Sequence, residues 1–309
     1  MDRVSTSFAM KMATGDFLRA QIRQVEAQNH VSTGKKATDL KGFGRDATTL
    51  TAARTVQARV DAFIDNSHVL VGRLEAQNLS LDRYRQVVDS AKSSVASSIA
   101  AGRADTMMIE LNGWFGQASQ SLNTKHEGAS LFAGGLIDRR PVEVDDLTEL
   151  AGLPAVANAF HNDDSVPTSR LDESTVAVSG FLASDVGTEF FGIMREIQEY
   201  HTGVNGPLNS TLNPTQTAFL QDKLAQLGVA HDNATRVAAQ NGLIQRRVDD
   251  AVTAQEARAV TLKGFISGVA EVDMAEALSR LQQAQVGLQA SAYAINALKS
   301  SSLLNLLEP

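Results

Sequence analysis

The chain contains no cysteine, which excludes disulfide staples, thiolate nucleophiles and the usual structural zinc sites. It has six prolines and only 5% aromatic residues, so helices can run long and are expected to pack through small side chains rather than around a thick aromatic core. No apolar run reaches the roughly 18 residues of a bilayer-spanning helix, so no membrane insertion is expected. Met1 to Ala20 lacks a basic leader followed by an unbroken apolar stretch and a small-residue cleavage site. A cleaved secretory signal is therefore not expected, and any exit from the cell would use a route independent of one.

What is present argues for a folded protein. At 309 residues and 43% hydrophobic content the chain can bury a sizeable core in one or two domains. Ala, Gln, Ser and Leu are abundant, a composition that suits packed helices. The formal charge of -7 is unevenly spread. Residues 1–45 carry eight Lys/Arg against four acids, whereas 138–200 carry thirteen acids against four bases. The basic excess is small and lacks interleaved aromatics, so no nucleic-acid partner is expected.

Helical periodicity dominates both ends. From Ile64 through Ser67, Val71, Leu74, Asn78, Leu81, Tyr84, Val88, Ala91 and Val95 to Ile99, apolar or small residues recur at alternating steps of three and four, the mark of a coiled-coil seam. Ser67 and Asn78 place polar groups in it, a device that can fix register at some cost in stability. A second seam runs through Leu220, Leu224, Leu227, His231, Ala234, Ala238, Asn241, Gln245, Val248 and Val252. A third reads Met274, Leu278, Leu281, Gln285, Leu288, Ala292, Ile295, followed by the apolar end Leu303, Leu304, Leu306, Leu307. Asp273 is placed to cap that helix, with Glu276 at capping-box spacing. Between Leu281 and Leu307 the only charged side chain is Lys299. Such a neutral polar face suits burial among other helices; it is also compatible with an ordinary amphipathic helix docked on its own domain.

The middle differs. Pro141, Pro154, Pro167, Pro207 and Pro214, the acidic pairs Asp145-Asp146 and Asp163-Asp164, and the alternating run Thr175 to Ser179 predict a small insert with a few strands, then a helix over 188–200 with Phe191, Met194, Ile197 and Tyr200 on one face. The expected fold class is mainly α, a long antiparallel coiled-coil bundle built from the N- and C-terminal regions with a small α+β insert. Its expected divisions are 1–45, an N-terminal assembly helix and turn; 46–137, a helical domain; 138–212, the acidic insert; 213–268, a second helical domain; and 269–309, a C-terminal assembly helix.

No catalytic, cofactor or metal site emerges. Gly42 to Ala47 fits a loose Gly-x-Gly-x-x-Ala pattern, but no buried strand precedes it, so it reads as a turn between two helices. Gly34-Lys35-Lys36 lacks the Ser or Thr and the upstream glycine of a phosphate loop. The six histidines show no ligand spacing. His161 beside Asp163 and Asp164 reads as a solvated acidic loop, and Gly264 to Gly268 has the wrong spacing for a nucleophile elbow.

Several segments carry a resemblance. Arg3-Val4-Ser5-Thr6-Ser7 looks like the start of the hook-filament junction proteins, the flagellin relatives also called hook-associated protein 3. Ser32-Thr33-Gly34-Lys35-Lys36 resembles the turn shared by flagellins and their junction relatives. Leu131-Phe132-Ala133-Gly134-Gly135 resembles the Phe-Ala-Gly segment that closes the N-terminal helical region of that family. Gly287 to Ser291 and Leu303 to Leu307 look like its C-terminal helix. The chain departs from the family over Asp39 to Gly44, where a Ser-Asp-Asp-Pro-like stretch is usual.

The resemblance implies a non-enzymatic structural subunit of the bacterial flagellum, without cofactor, exported by the flagellar type III apparatus and located outside the cell. It implies ends that are disordered in the free protein and become coiled coil on assembly, against an ordering entropy of about 1 to 2 kcal/mol per residue. The implied partners are other copies of the chain, a hook-side junction protein, filament flagellin, and an export chaperone binding the C-terminal helix. The assembly interface is expected at Val4, Phe8, Ile22, Val25, Leu278, Leu281, Leu288, Ile295, Leu303, Leu304, Leu306 and Leu307, with Ser32, Thr33, Gly34, Lys35, Phe132, Ala133 and Gly134 as family-motif positions. A filament flagellin remains as an alternative. A secreted coiled-coil translocator is a more distant one, since it should show an apolar helix pair.

Overall fold

In the computed structural model, which describes residues 2–304 and the side chains of 8–300, helices dominate. They are α1 (Asp2–Thr33), α2 (Asp46–Ala101), α3 (Met107–Leu122), α4 (Leu147–Gly152), α5 (Ala183–Thr202), α6 (Pro214–Ala270) and α7 (Met274–Leu304). The strands β1 (Lys125–His126) with β2 (Ala129–Ser130), and β3 (Thr168–Arg170) with β4 (Val176–Val178), form two antiparallel hairpins. The fold is thus mainly α with small β elements, as its periodicity predicts. Two compact units divide the chain, one of Met1–Arg59 with Ala257–Pro309 and one of Val60–Glu256.

In the Val60–Glu256 unit α2 and α6 run antiparallel. Leu70 and Leu74 share an apolar cluster with Val248 and Val252, while just beyond the end of α2 and before the start of α6 Ala104 N–H donates to the Ser210 carbonyl at 3.0 Å. The α2 seam is buried at Leu74, Leu81, Tyr84, Val88, Ala91 and Val95, and Ser67 is buried with it. Ile64, Val71 and Ile99 are only partly buried, and so is Asn78. Asn78 donates to Asp82, and the buried amide is its neighbour Gln77. The second polar layer, Asn241, is fully buried and donates to the Leu74 carbonyl at 3.0 Å.

The helix ends have local causes. Gly102, with φ 65°, closes α2; its N–H reaches the Ile99 carbonyl at 3.1 Å and that of Arg103 the Ser98 carbonyl at 3.1 Å, the two bonds of a Schellman motif. At the start of α6 the Asn213 side chain accepts from Gln216 N–H at 2.9 Å and the Gln216 side chain accepts from Asn213 N–H at 3.0 Å, with Pro214 first in the helix. This reciprocal cap satisfies two otherwise free donors. Asn213→Ala should cost about 1 kcal/mol of stability, read as a lower urea midpoint with an unchanged slope.

The predicted 188–200 helix is α5, longer at both ends. Its Phe190 and Phe191 sit in one core with Tyr84, Phe115 and Phe132, so the insert and the helices around it share a single apolar interior. Tyr84 Oη donates to the Val186 carbonyl at 3.2 Å, and burial raises the phenol pKa. The run Thr175 to Ser179 contains β4 as expected.

Candidate assembly interface

The unit of Met1–Arg59 and Ala257–Pro309 is where the expected assembly residues lie, and its turns fix how they are presented. Gly34, with φ 68°, ends α1, its N–H bonding the His30 carbonyl at 2.9 Å. Thr33 Oγ1 donates to the Asn29 carbonyl at 2.7 Å and Ser32 Oγ to the same carbonyl at 3.2 Å. Lys36 N–H then bonds the Ala270 carbonyl at 2.8 Å, Val272 N–H bonds the Gly34 carbonyl at 3.0 Å, and Lys36 Nζ reaches the Gly268 carbonyl at 2.8 Å. Lys35 pairs with Glu271 in an isolated antiparallel bridge. The Ser-Thr-Gly-Lys-Lys motif is therefore a helix stop and a clasp, binding the end of α1 to the turn between α6 and α7.

From that clasp α1 and α7 run back antiparallel. The less exposed positions of α1 include Ala13, Phe17, Ala20, Gln24, Ala27 and Val31, and those of α7 include Ala277, Leu281, Ala284, Leu288, Ser291 and Ile295, with Ala292 beside them; each set follows a heptad stripe. Asp273 caps α7, accepting from Ala275 N–H at 2.8 Å and Glu276 N–H at 3.2 Å. Glu276 holds Arg280 at 2.6 Å. Because Ala20, Ala27, Ala284 and Gly287 are small, the pair leaves a groove of 460 Å³, edged by Arg23, Glu26 and Arg280.

The expected interface residues separate into two sets. Leu281, Leu288 and Ile295 lie on the stripe that meets α1. Phe8 (66% exposed), Ile22 (57%), Val25 and Leu278 face away from it. Met274 and Gln285, placed in the third seam by spacing, are likewise exposed. The reason is geometric: the seam uses Ala277 and Ala284, one position before Leu278 and Gln285, and small residues there let the helices approach. The resemblance implies ends that order on assembly; here both end helices are formed and paired within one chain over the described residues. Val4, Leu303 and Leu304 lie on helical backbone with side chains outside the described set, and Leu306 and Leu307 lie outside the described residues.

Sequence reasoning passed over Met12 and Leu18. Both are exposed, and at 100° per residue they fall with Phe8, Ile22 and Val25 on the side of α1 opposite its seam. On α7 the exposed Val286 and Tyr293 likewise lie opposite the seam. The signal was a second apolar stripe, out of phase with the first.

The Phe-Ala-Gly motif lies in the Val60–Glu256 unit. Leu131, Phe132 and Ala133 are buried, the Phe132 carbonyl accepts from Ala183 N–H at 2.9 Å, and Gly135 N–H donates to Asp163 Oδ1 at 2.8 Å. Gly134 has φ 69°, and a Cβ there would stand 2.1 Å from Asp163 Oδ1. This motif shapes the core and its loop and belongs to no exposed face. No group of three or more potential ligands suited to a metal ion occurs among the described residues, and no described helix is long and apolar enough to cross a membrane.

Residues 224–307 match the family described as the bacterial flagellin C-terminal helical region. Among solved structures, a Vibrio parahaemolyticus protein provisionally described as a flagellar hook-associated protein superposes with a TM-score of 0.60 at 15% identity, over 73% of this chain and 97% of that one. Bacillus cereus FlgL superposes with a TM-score of 0.53 at 11% identity, over 70% of this chain and 98% of that one. At such identities the likeness is one of fold. No curated protein sequence matches the chain. The match to the flagellin C-terminal helical region thus covers α7 and most of α6, and with them the third seam and most of the second.

Proposed function

We propose that the chain is a structural subunit of the bacterial flagellum, that it assembles through α1 and α7 after type III export, and that its place is the hook-filament junction. The observation that carries this reading is the double-sided character of the terminal pair. One stripe of each helix is used within the chain, and the opposite stripe presents Phe8, Met12, Leu18, Ile22, Val25, Val286 and Tyr293 to solvent. Exposed apolar rows of this length signal a partner, and paired helices that carry such a row opposite their own seam can find it in neighbouring copies. The flagellin-family match of 224–307 and the shared fold with two proteins described as hook-associated or FlgL support the flagellar setting.

In this reading residues 1–45 and 269–309 assemble, 46–137 and 213–268 form the helical body, and 138–212 is the variable insert. The neighbours are a hook-side junction protein and filament flagellin, and an export chaperone would cover the outer stripe of α7 before secretion. The family description of 224–307 favours one second reading, a filament flagellin. Fluorescent labelling of a single introduced cysteine on the insert of the assembled protein separates the two. One spot at the filament base is expected; label along the whole filament would replace the junction with the filament, and absence of label from the flagellum would overturn both.

A further inference from the structure

Within the Val60–Glu256 unit, α2 and the β3–β4 hairpin border a groove of 420 Å³ that no assembly argument uses. Its polar lining is Asn66, Ser67, Arg73, Ser169 and Arg170, over an apolar floor that includes Phe63 and Leu70. Residues 63, 66, 67, 70 and 73 lie on one helix face, and Leu70 shares an apolar cluster with Leu171 of the hairpin, so the lining is held by packing.

Arg73 is half-buried, and its Nε is enclosed without a hydrogen-bond partner. Burial holds its guanidinium below the ordinary arginine pKa. None of the ion pairs found among the described residues includes Arg73 or Arg170. The acid closest in sequence to Arg170, Asp172, is committed elsewhere. Its Oδ1 accepts from Ser174 N–H and Thr175 N–H at 2.7 Å each, and its Oδ2 accepts from Thr175 Oγ1 at 2.9 Å. Those bonds hold its carboxyl down at about 2. The partly desolvated Arg73 guanidinium, without a counter-ion, gains from an anion that joins it. Guanidinium groups match carboxylate geometry in particular, through paired N–H donors.

We propose that this groove is a carboxylate-binding site, in which Arg73 and Arg170 hold the oxyanion, Asn66, Ser67 and Ser169 supply neutral hydrogen-bonding groups, and Phe63 and Leu70 cover the attached carbon skeleton. The carboxylate is either a small free acid or a side chain of another copy, whose residues 138–200 carry thirteen acids against four bases. The site does not depend on the flagellar reading.

The test titrates the purified full-length chain with succinate at constant ionic strength, chloride making up the balance, and follows the melting temperature. A saturable rise is expected for the wild type and for R139Q, an exposed arginine of the same unit outside the groove. R73Q and R170Q should each weaken apparent succinate affinity about tenfold or more. Arg170 is exposed on its strand, so R170Q keeps the test valid if R73Q fails to fold. An absent rise, or one equal in wild type, R170Q and R139Q, overturns the site. In a second arm succinate is added to assembling protein. Slowing that R170Q reproduces assigns the native carboxylate to a neighbouring copy, and unaffected assembly assigns it to a free acid. Should the chain not assemble at all, the first arm still decides the site.

Discussion

Removal of Leu281 to Pro309 is expected to abolish incorporation into the flagellum while the Val60–Glu256 unit stays folded. The deletion takes Leu281, Leu288 and Ile295 from the stripe that meets α1, and with them the outward Val286 and Tyr293. Ala13, Phe17, Ala20 and Gln24 then lose their cover. An isolated helix of this kind has little stability of its own, since most helical stability in water comes from packing an apolar face. The core containing Phe115, Phe190 and Phe191 shares no residue with the deleted segment, so amide exchange protection in α3 and α5 should be retained.

Deletion alone does not distinguish loss of the pair from loss of the surface that meets neighbours. Ile22→Asp does: Ile22 is exposed and opposite the seam, so α1 and α7 should remain paired in the monomer, with stability changed by no more than about 0.5 kcal/mol. Assembly should fail nevertheless, because a carboxylate buried between copies would have no partner. Counting labelled flagella in cells carrying each variant reads both. Normal incorporation of the truncated chain would end the assembly role given to α7, and normal incorporation of the Ile22→Asp chain would end the one given to the outer stripe of α1.

The heptads of α2 and α6 were legible because large apolar residues mark them: Leu74, Leu81, Val88 and Val95 on one helix, Leu220, Leu227 and Val248 on the other, are all buried. Legibility fails where two neighbours are chemically alike. Asn78 and Gln77 are both amides, and periods of 3.5 and 3.6 residues diverge by about 20° in each heptad, so spacing points to one and the helix buries the other. On α7 the larger residues mislead. Met274 and Leu278 continue the apolar rhythm, yet the contact with α1 alternates the small Ala277 and Ala284 with Leu281 and Leu288, so size alone does not mark which side of the helix is used within the chain. The carboxylate groove was unreadable for a different reason. It joins Arg73 to Arg170 across 97 positions of sequence, and neither residue stands in a motif. Sequence reasoning also passed over the Asn213-Pro214-Thr215-Gln216 cap, reading Pro214 only as a mark of the insert, although a polar acceptor, a proline and a glutamine at capping-box spacing carried its signal.

Phe191→Ala is expected to be far more damaging than Asn213→Ala, lowering stability by about 3 to 5 kcal/mol. Phe191 is fully buried, with its ring centroid 4.7 Å from that of Phe115 and 5.1 Å from that of Phe160. Truncation removes the transfer free energy of the ring and leaves a cavity beside Phe115, Phe160 and Phe190, whose rings pack on that of Phe191. Guanidinium unfolding followed by the fluorescence of the single tryptophan, Trp114, should show a lower midpoint with little change in slope. Phe8→Ala is the informative partner. Phe8 is 66% exposed, so its loss should leave stability within about 0.5 kcal/mol of the wild type and weaken assembly instead. Two phenylalanines of one chain would then separate the two demands on its apolar residues: Phe191 holds the subunit together, and Phe8 awaits a neighbour. A Phe191→Ala loss below about 1 kcal/mol would refute the single shared core, and a Phe8→Ala chain that assembles as readily as the wild type would remove Phe8 from the interface.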